Sequence, residues 1–340
     1  MVIFANMKIA IYGAGSLGTV LGAYLSRGGL AVELVHHNDA NVKILNEKGV
    51  HVVGTTDFVQ PVKAITPEEM TGKYDIIILL TKTRENIANA RFLKDYLADD
   101  GVIATLQNGL PEQDIADVVG ENRVLGCTVA WGATMLEPGV TELTSAPDSL
   151  TFSLGSVFSG EPNHHLKDVK EILELMGPVT VEENFIGARW SKLLINSAFS
   201  GMSTVLGCTF GEAAKHMASR RIVLSLIKEC IDVCAAGGIK IEPVQGKDAV
   251  KLLDYNNGLK KALSLFILPI AIRKHALLKA SMLQDIENGK KTEVDCINGA
   301  ICSYGLKVGC PTPMNDKVVS IIHRIEEGGL KPGFDNLKLF

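Results

Sequence analysis

Met7-Lys8-Ile9-Ala10-Ile11-Tyr12-Gly13-Ala14-Gly15-Ser16-Leu17-Gly18-Thr19-Val20-Leu21-Gly22-Ala23-Tyr24-Leu25 is the stretch whose reading decides the fold. Lys8 to Tyr12 is a short apolar run of the kind that makes a strand buried on both faces, and it stops at a glycine. Gly13, Gly15 and Gly18 then have the spacing G-x-G-x-x-G. The first glycine makes a tight turn, the second lets backbone approach a pyrophosphate, and the third lets helix pack on strand. Leu17, Val20, Leu21, Tyr24 and Leu25 share one face of the helix that follows, whose N-terminus points at the turn. Its unbonded N–H groups and its dipole suit phosphate. A glycine turn alone also serves as a plain connection; the strand before it and the helix after it make a dinucleotide the implied ligand.

Working outward, strands are predicted over Ala31–His37, Asp75–Thr81 and Gly101–Leu106, and helices over Ala40–Lys48 and Glu85–Leu97. Strand and helix alternate, which calls for a doubly wound parallel sheet with its ligand crevice at the strand carboxyl ends, where Lys82 and Asn108 fall. Val50–Val53 is a short β segment, and Arg123–Ala130, Gly139–Thr144 and Leu150–Gly155 read as added strands. A helix over Leu166–Met176 and a strand over Val179–Glu182 follow. From Asn184 the pattern turns helical: Ile186–Val205, Ala218–Ala236, Val244–Tyr255, Leu259–Met282, Thr292–Tyr304 and Pro313–Glu327, with Gly328–Phe340 as a tail. The expected architecture is α/β: a Rossmann-type doubly wound parallel sheet over residues 1–184 and an all-helical substrate domain over residues 185–340.

A chain of 340 residues with 46% hydrophobic and 21% charged residues and a net charge of −4 has the composition of a globular protein of about two domains. The mild acidity and the lack of a basic run argue against nucleic acid. The longest apolar segment, Ala262–Ile272, is interrupted by Ser264 and Pro269 and is shorter than the roughly 20 residues of a membrane span. Met1–Asn6 is too short for a signal sequence and reads as an alternative start, so a cytoplasmic location is expected. The 7 cysteines are scattered in apolar segments, as small hydrophobes in a reducing compartment are. Cys230 and Cys234 are one helical turn apart with no second close pair, and His164-His165 reads as a loop, so no metal is expected. The long helical second domain suits a homodimer, although nothing in it requires one.

Two constellations could carry chemistry. Lys192, Asn196 and Ser200 stand at i, i+4 and i+8 of an otherwise apolar helix and form one polar stripe. Such a stripe lines a cleft or is a solvated face, and the residues alone leave both readings open. In Ser281-Met282-Leu283-Gln284-Asp285 through Thr292-Glu293-Val294-Asp295, one helix ends near Asn288-Gly289 and another starts at Thr292, an N-cap in a near capping box with Asp295. Glu293 then falls in the first turn, where the helix dipole favours a carboxylate whatever the function.

The glycine turn, Thr81-Lys82, Gln107-Asn108-Gly109, Trp190-x-Lys192-x-x-x-Asn196, Ser281-Met282-x-Gln284-Asp285, Thr292-Glu293-x-Asp295 and Pro311-Thr312-Pro313 occur in the order seen in ketopantoate reductases, and the chain resembles that family along nearly its whole length. The resemblance implies NADPH-dependent reduction of a 2-keto acid to a 2-hydroxy acid in pantothenate synthesis. By position, Lys192 matches the proton donor to the nascent alkoxide and Glu293 the carboxylate near the reacting centre. Asn196 and Ser281 match substrate-binding residues, and Ser200 of the stripe is placed with them. The cofactor side takes Gly13, Ala14, Gly15, Ser16, Leu17 and Gly18 of the turn, with His37, Lys82, Asn108 and Gly132. Hydride delivery to a carbonyl carbon builds charge on oxygen, which a positioned ammonium both stabilises and protonates.

The chain departs from the family's pattern in two places. Ser200, Phe210 and Leu278 stand where the family often has asparagine, which makes the pocket less polar and admits a different 2-keto acid. His36-His37-Asn38-Asp39 replaces the usual arginine for a 2′-phosphate. A 3-hydroxyacid or opine dehydrogenase would share the glycine turn but not the Ser281–Glu293 motif. A non-catalytic dinucleotide sensor would need none of Lys192, Asn196 and Glu293.

Overall fold

A computed structural model describes residues 6–158, 163–243 and 246–340. It divides into two compact units, one holding the chain up to Gln107 together with Pro111–Phe185, the other Asn108–Leu110 with Ile186–Phe340.

The first unit is built on strands β1 (Ile9–Tyr12), β2 (Val32–Val35), β3 (Val50–Gly54), β4 (Phe58–Gln60), β5 (Lys63–Ile65), β6 (Tyr74–Leu79), β7 (Leu97–Thr105), β8 (Val124–Val129), β9 (Ala133–Glu137), β10 (Val140–Leu143), β11 (Phe152–Ser156) and β12 (Val179–Val181). Its helices are α1 (Ser16–Arg27), α2 (Asp39–Lys48), α3 (Asn86–Lys94), α4 (Glu112–Val119) and α5 (Leu166–Leu173). Eight strands form one sheet in the order β12-β11-β8-β7-β6-β1-β2-β5. From β5 through β8 all pairs are parallel and the order is that of a dinucleotide-binding sheet, which reverses between β1 and β6. The ligand crevice of such a sheet lies at the carboxyl ends of those two strands.

The sheet is buried on both faces. Ile9, Ile11, Ile76 and Ile78 join the core under α1 and α5, whereas Ala10, Ile77 and Leu79 join the core under α3 and α4. That alternation is why β1 and β6 read as continuous apolar runs. The parallel sheet carries an antiparallel pairing toward one edge, where the added strand β11 runs antiparallel to β8. Val50–Val53 and Gly139–Thr144 also leave the main sheet. They pair in a second sheet, ordered β4-β3-β10-β9, whose Val50, Val52 and Leu143 cover the α1 side of the core.

The second unit is helical: α6 (Phe185–Ile195), a π turn over Asn196–Ser200, α7 (Gly201–Leu206), α8 (Phe210–Lys215), α9 (Met217–Ala236), α10 (Ala249–Leu253), α11 (Gly258–Ala271), α12 (Ser281–Glu287), α13 (Val294–Val308) and α14 (Pro313–Glu326). Cys230 and Cys234 lie in its apolar core on α9. The helix expected over Val244–Tyr255 is observed only as α10, and Val244 lies outside the described residues. The helix expected over Leu259–Met282 is broken, because the chain between α11 and α12 turns its carbonyls to another helix. Phe210 N–H donates to the Leu278 carbonyl (3.0 Å) and Gly211 N–H to that of Ala276 (2.9 Å), which satisfies the start of α8. Gly328–Phe340 is no loose tail. Asn336 is buried and its Nδ2 donates to the carbonyls of Val205 and Lys331, both at 2.9 Å, closing the end of α7. Among the described residues no helix is long and apolar enough to cross a membrane.

Candidate active site

In the first unit the three glycines of the turn do three different things. Gly13 has φ +104°, and a Cβ there would lie 2.6 Å from Thr81 N, so this position must be glycine for the β1 turn to pass the end of β6. A Cβ on Gly18 would lie 2.3 Å from the Gly13 carbonyl oxygen, where α1 packs down on the turn. Gly15 has φ −75°, and a Cβ there would meet nothing within 4 Å. The protein therefore places no demand of its own on Gly15; the open space beside it is a cradle that a side chain would fill. The N–H groups of Gly13 and Ala14 are both committed to the Val35 carbonyl (3.1 and 3.0 Å), so Ala14 shapes the turn and does not offer its N–H. The first backbone bond inside α1 runs from Thr19 N–H to Gly15 O (2.8 Å), so the N–H groups of Ser16, Leu17 and Gly18 precede it, and no acidic side chain sits in that first turn. This arrangement suits a pyrophosphate. Ser16 Oγ also accepts from Met135 N–H (3.0 Å), which ties β9 to the turn.

Lys82 follows β6 beside this turn, and the buried Gln107, quoted in the sequence motif without a role of its own, holds that loop. Its Nε2 donates to the Thr81 carbonyl and to Asn86 Oδ1, both at 2.7 Å, while its Oε1 accepts from Thr105 Oγ1 (2.9 Å). Gly132 sits between β8 and β9, its N–H on Ser145 Oγ (2.9 Å). At the end of β2 the side chains of His36 and Asn38 are already engaged. His36 Nδ1 accepts from Asn38 N–H (3.0 Å), and its Nε2 pairs with Asn41 Nδ2 (3.1 Å). Burial, then the neighbouring His37, pushes the His36 pKa down. Asn38 Oδ1 caps α2 by accepting from Asn41 N–H (3.1 Å). His37 stacks on His36 with ring centroids 4.8 Å apart and is the exposed member of the pair.

In the second unit the polar stripe lies on a helix that is not uniformly α. Gly201 N–H donates to the Asn196 carbonyl five residues back, so Asn196–Ser200 forms a π turn between α6 and α7. In an α-helix each four-residue step overshoots a full circle by about 40°. In the wider π turn the same step falls short, so the two offsets oppose one another and Lys192, Asn196 and Ser200 stay in line. Lys192 and Asn196 are half-buried, and Ser200 is buried at the inner end of the row.

The π turn is held from below by groups the sequence reading did not single out. Asn298 of α13, fully buried, donates through Nδ2 to the Ser197 carbonyl (3.0 Å) and to Asn315 Oδ1 (2.9 Å). Asn315 Nδ2 donates to Glu229 Oε2 (2.8 Å), and the Glu229 carboxylate also accepts the N–H groups of Met314 (2.7 Å) and Asn315 (3.0 Å) at the start of α14. Burial raises the Glu229 pKa, opposed by those three donors. Gly201 makes room for the network, since a Cβ there would lie 3.1 Å from Asn298 Oδ1. The only sequence signal was asparagine within an apolar helix face.

The start of α13 differs from the expected capping box by one residue. Glu293 is the N-cap, and its carbonyl accepts Cys296 N–H (3.0 Å) and Ile297 N–H (3.1 Å). Thr292 gives both its N–H and its hydroxyl to Glu326 Oε1, a charged acceptor, at 2.7 Å, while its Oγ1 accepts Val294 N–H (3.2 Å), and Asp295 pairs with His323 (3.0 Å). Asn108-Gly109 rests on this first turn, since a Cβ on Gly109 (φ +81°) would lie 2.2 Å from the Cys296 carbonyl oxygen. Ser281 is exposed at the start of α12, while Met282 and Leu283 anchor that helix in the core. The second unit thus sets Asn108-Gly109 against the first turn of α13, and α12 and α13 both pack on the π turn that follows the Lys192 helix.

Comparison with known proteins matches residues 9–156 to the family model "Ketopantoate reductase PanE/ApbA" and residues 184–326 to "Ketopantoate reductase PanE/ApbA C terminal". The 2-dehydropantoate 2-reductase of Pyrococcus horikoshii is 30% identical over 326 residues, spanning 95% of this chain and 99% of that one. This chain belongs to the ketopantoate reductase family. Two solved structures share the fold. One is a D-mandelate dehydrogenase with NADH and anilino(oxo)acetate (TM-score 0.81, 24% identity, 95% of this chain and 99% of that one). The other is a PanE/ApbA family ketopantoate reductase from Ralstonia eutropha JMP134 (TM-score 0.79, 24% identity, 95% and 99%). The protein is accordingly a dinucleotide-dependent oxidoreductase of the ketopantoate reductase family, acting on a small molecule.

The departures from the family's asparagine pattern fall in different environments. Phe210 is buried, with its ring 5.7 Å from that of Phe199, whereas Leu278 is half exposed and contributes its carbonyl to the start of α8.

Proposed function

We propose that the protein reduces 2-dehydropantoate to pantoate with NADPH, for pantothenate synthesis. The bound nicotinamide would supply the hydride. Gly13, Gly15, Ser16, Leu17 and Gly18 would hold the dinucleotide on the turn that Ala14 shapes, with His37, Lys82, Asn108 and Gly132 completing its site. Lys192 would donate the proton to the alkoxide oxygen, Asn196, Ser200 and Ser281 would bind the keto acid, and the Glu293 carboxylate would act on the charge of that centre. The observation that carries the reading is the half-buried Lys192–Asn196 row, which the π turn keeps in line with Ser200. NADPH is favoured over NADH because β2 ends in His36-His37, without a carboxylate to repel a 2′-phosphate, and His37 is the exposed ring there.

A second reading keeps the reaction and changes the acid. Phe210 and Leu278 put apolar side chains where asparagine is usual, and the Phe210 ring lies 5.7 Å from that of Phe199, which favours a bulkier or more apolar 2-keto acid.

Consumption of NADPH and of NADH with 2-dehydropantoate and a panel of other 2-keto acids tests both readings. Lys192→Ala is expected to lower turnover by a factor on the order of 10² to 10⁴ with dinucleotide affinity retained. Normal turnover in that variant would show the row to be a solvated helix face.

A further inference from the structure

We propose that Asp100, His164 and His165 form a site for a divalent transition-metal ion, of which zinc best suits the donor set, at the amino-terminal edge of the eight-stranded sheet. Their donor atoms all lie within 4.8 Å of one another, and among the described residues no other group of histidine, cysteine and carboxylate does so. Asp100 stands on the irregular start of β7, where the register against β6 shifts. Arg123 fixes that bulge by donating to the carbonyls of Ala98 and Gly101. The histidines enter from the loop before α5. There Asn163 Oδ1 accepts His165 N–H (2.9 Å), and Asn163 Nδ2 donates to the Asn122 carbonyl.

An ordinary ion pair accounts for two of the three groups, His164 Nε2 and Asp100 Oδ2, which lie 3.8 Å apart on exposed side chains. It does not account for His165. His165 is 6% exposed, its Nδ1 is 2.8 Å from Asp168 Oδ2, and its Nε2 is buried without a hydrogen-bond partner among the described residues. With Nδ1–H directed at a carboxylate, a neutral ring here carries its lone pair on Nε2. This is the tautomer and the carboxylate support of a metal-ligating histidine. An unsatisfied buried ring nitrogen costs free energy, and a metal bond would recover it.

Two imidazoles and one carboxylate, with a fourth position open to water, is a donor set for zinc. Ligands on a tetrahedral zinc stand about 3.3 Å apart. Rotation of the exposed His164 and Asp100 side chains would close the present spacing onto the fixed His165. A cation near the start of α5 is opposed by the helix dipole, and the carboxylates of Asp168 and Asp100 offset that. The site lies at the opposite end of the strands from the Gly13 turn. Its effect is therefore a clamp between β7 and the α5 loop, not a part in hydride transfer.

Calorimetric titration of the full chain with zinc chloride, after chelator treatment and alkylation of accessible thiols, tests the proposal. One equivalent is expected to bind the unmodified sequence and to raise its thermal midpoint. His164→Ala and Asp100→Asn should each weaken binding by tenfold or more and abolish the thermal shift. Asp168→Asn, which removes only the support of the ring, should weaken it about tenfold. His164 and Asp100 are exposed, so their replacement leaves the fold intact. Absence of a bound equivalent in the unmodified sequence, or undiminished binding in both His164→Ala and Asp100→Asn, would overturn the proposal.

Discussion

Adding a single methyl group to Gly15 or to Gly18 should separate what the fold needs from what the ligand needs. At Gly18, alanine gains about 1 kcal/mol of helix propensity. Its Cβ, however, would lie 2.3 Å from the Gly13 carbonyl oxygen and 3.2 Å from Ile11 Cγ2, and backbone cannot swing aside as a side chain can. Overpacking of that kind costs about 3 kcal/mol or more, so the net loss is about 2 kcal/mol, or roughly 4–8 °C in thermal midpoint. At Gly15 the backbone is ordinary and nothing stands within 4 Å. Replacing glycine at this N-cap costs at most about 1 kcal/mol, or a few degrees. The same methyl group would stand in the cradle offered to the pyrophosphate. Affinity for NADPH and NADH should fall on the order of 10²-fold, equivalent to about 2.7 kcal/mol. Differential scanning fluorimetry and calorimetric titration of both variants measure the two quantities separately. A folded Gly15→Ala protein that binds dinucleotide as tightly as the parent would refute the reasoning, because the space beside Gly15 would then not be the phosphate path.

Asn298→Ala removes the donor shared by the Ser197 carbonyl and Asn315 Oδ1, so a loss of roughly 3 kcal/mol in urea unfolding is expected. Turnover should fall with it while dinucleotide affinity holds, and full turnover in a destabilised variant would detach the network from the stripe. Burial tends to raise the Glu33 pKa, but hydrogen bonds from Lys63 and Tyr74 outweigh it and hold the carboxyl below its ordinary value of 4.5. The folded pKa being the lower one, Glu33's contribution is present above pH 4.5 and is lost as pH falls through the folded value. Lys63→Ala should flatten that acid limb of the stability curve, and an unchanged limb would show that the pair does not contribute. Asn336→Ala leaves the Val205 and Lys331 carbonyls without their donor and should cost about 1–3 kcal/mol; an unchanged urea midpoint would mean the C-terminal segment is not docked in solution.

Local rules acting over a few residues made much of this protein legible in its sequence. The apolar run Ile9–Tyr12, the three glycines, the strand at Asp75 and the helical periodicity after Asn184 each carry their own physical signal, and they agree on a dinucleotide-binding sheet followed by helices. The Lys192 row was legible for the same reason, since side chains four apart share a helix face. Contacts distant in sequence decided the rest. Whether Val50–Gly54 and Val140–Leu143 extend the main sheet or form a second one depends on which strands they meet, and their pattern is β in either case. The break between α11 and α12 exists because Phe210 and Gly211, some 65 residues upstream, take two carbonyls that a continuous helix would have used. The π turn depends on Asn298 and Asn315, whose amides are ordinary polar groups until burial makes each unpaired donor or acceptor costly. The carboxylate that takes the Thr292 N–H and hydroxyl at the start of α13 is Glu326, 34 residues away. Periodicity reports which face of an element is apolar; which partner satisfies its remaining polar groups is decided only when the chain is packed.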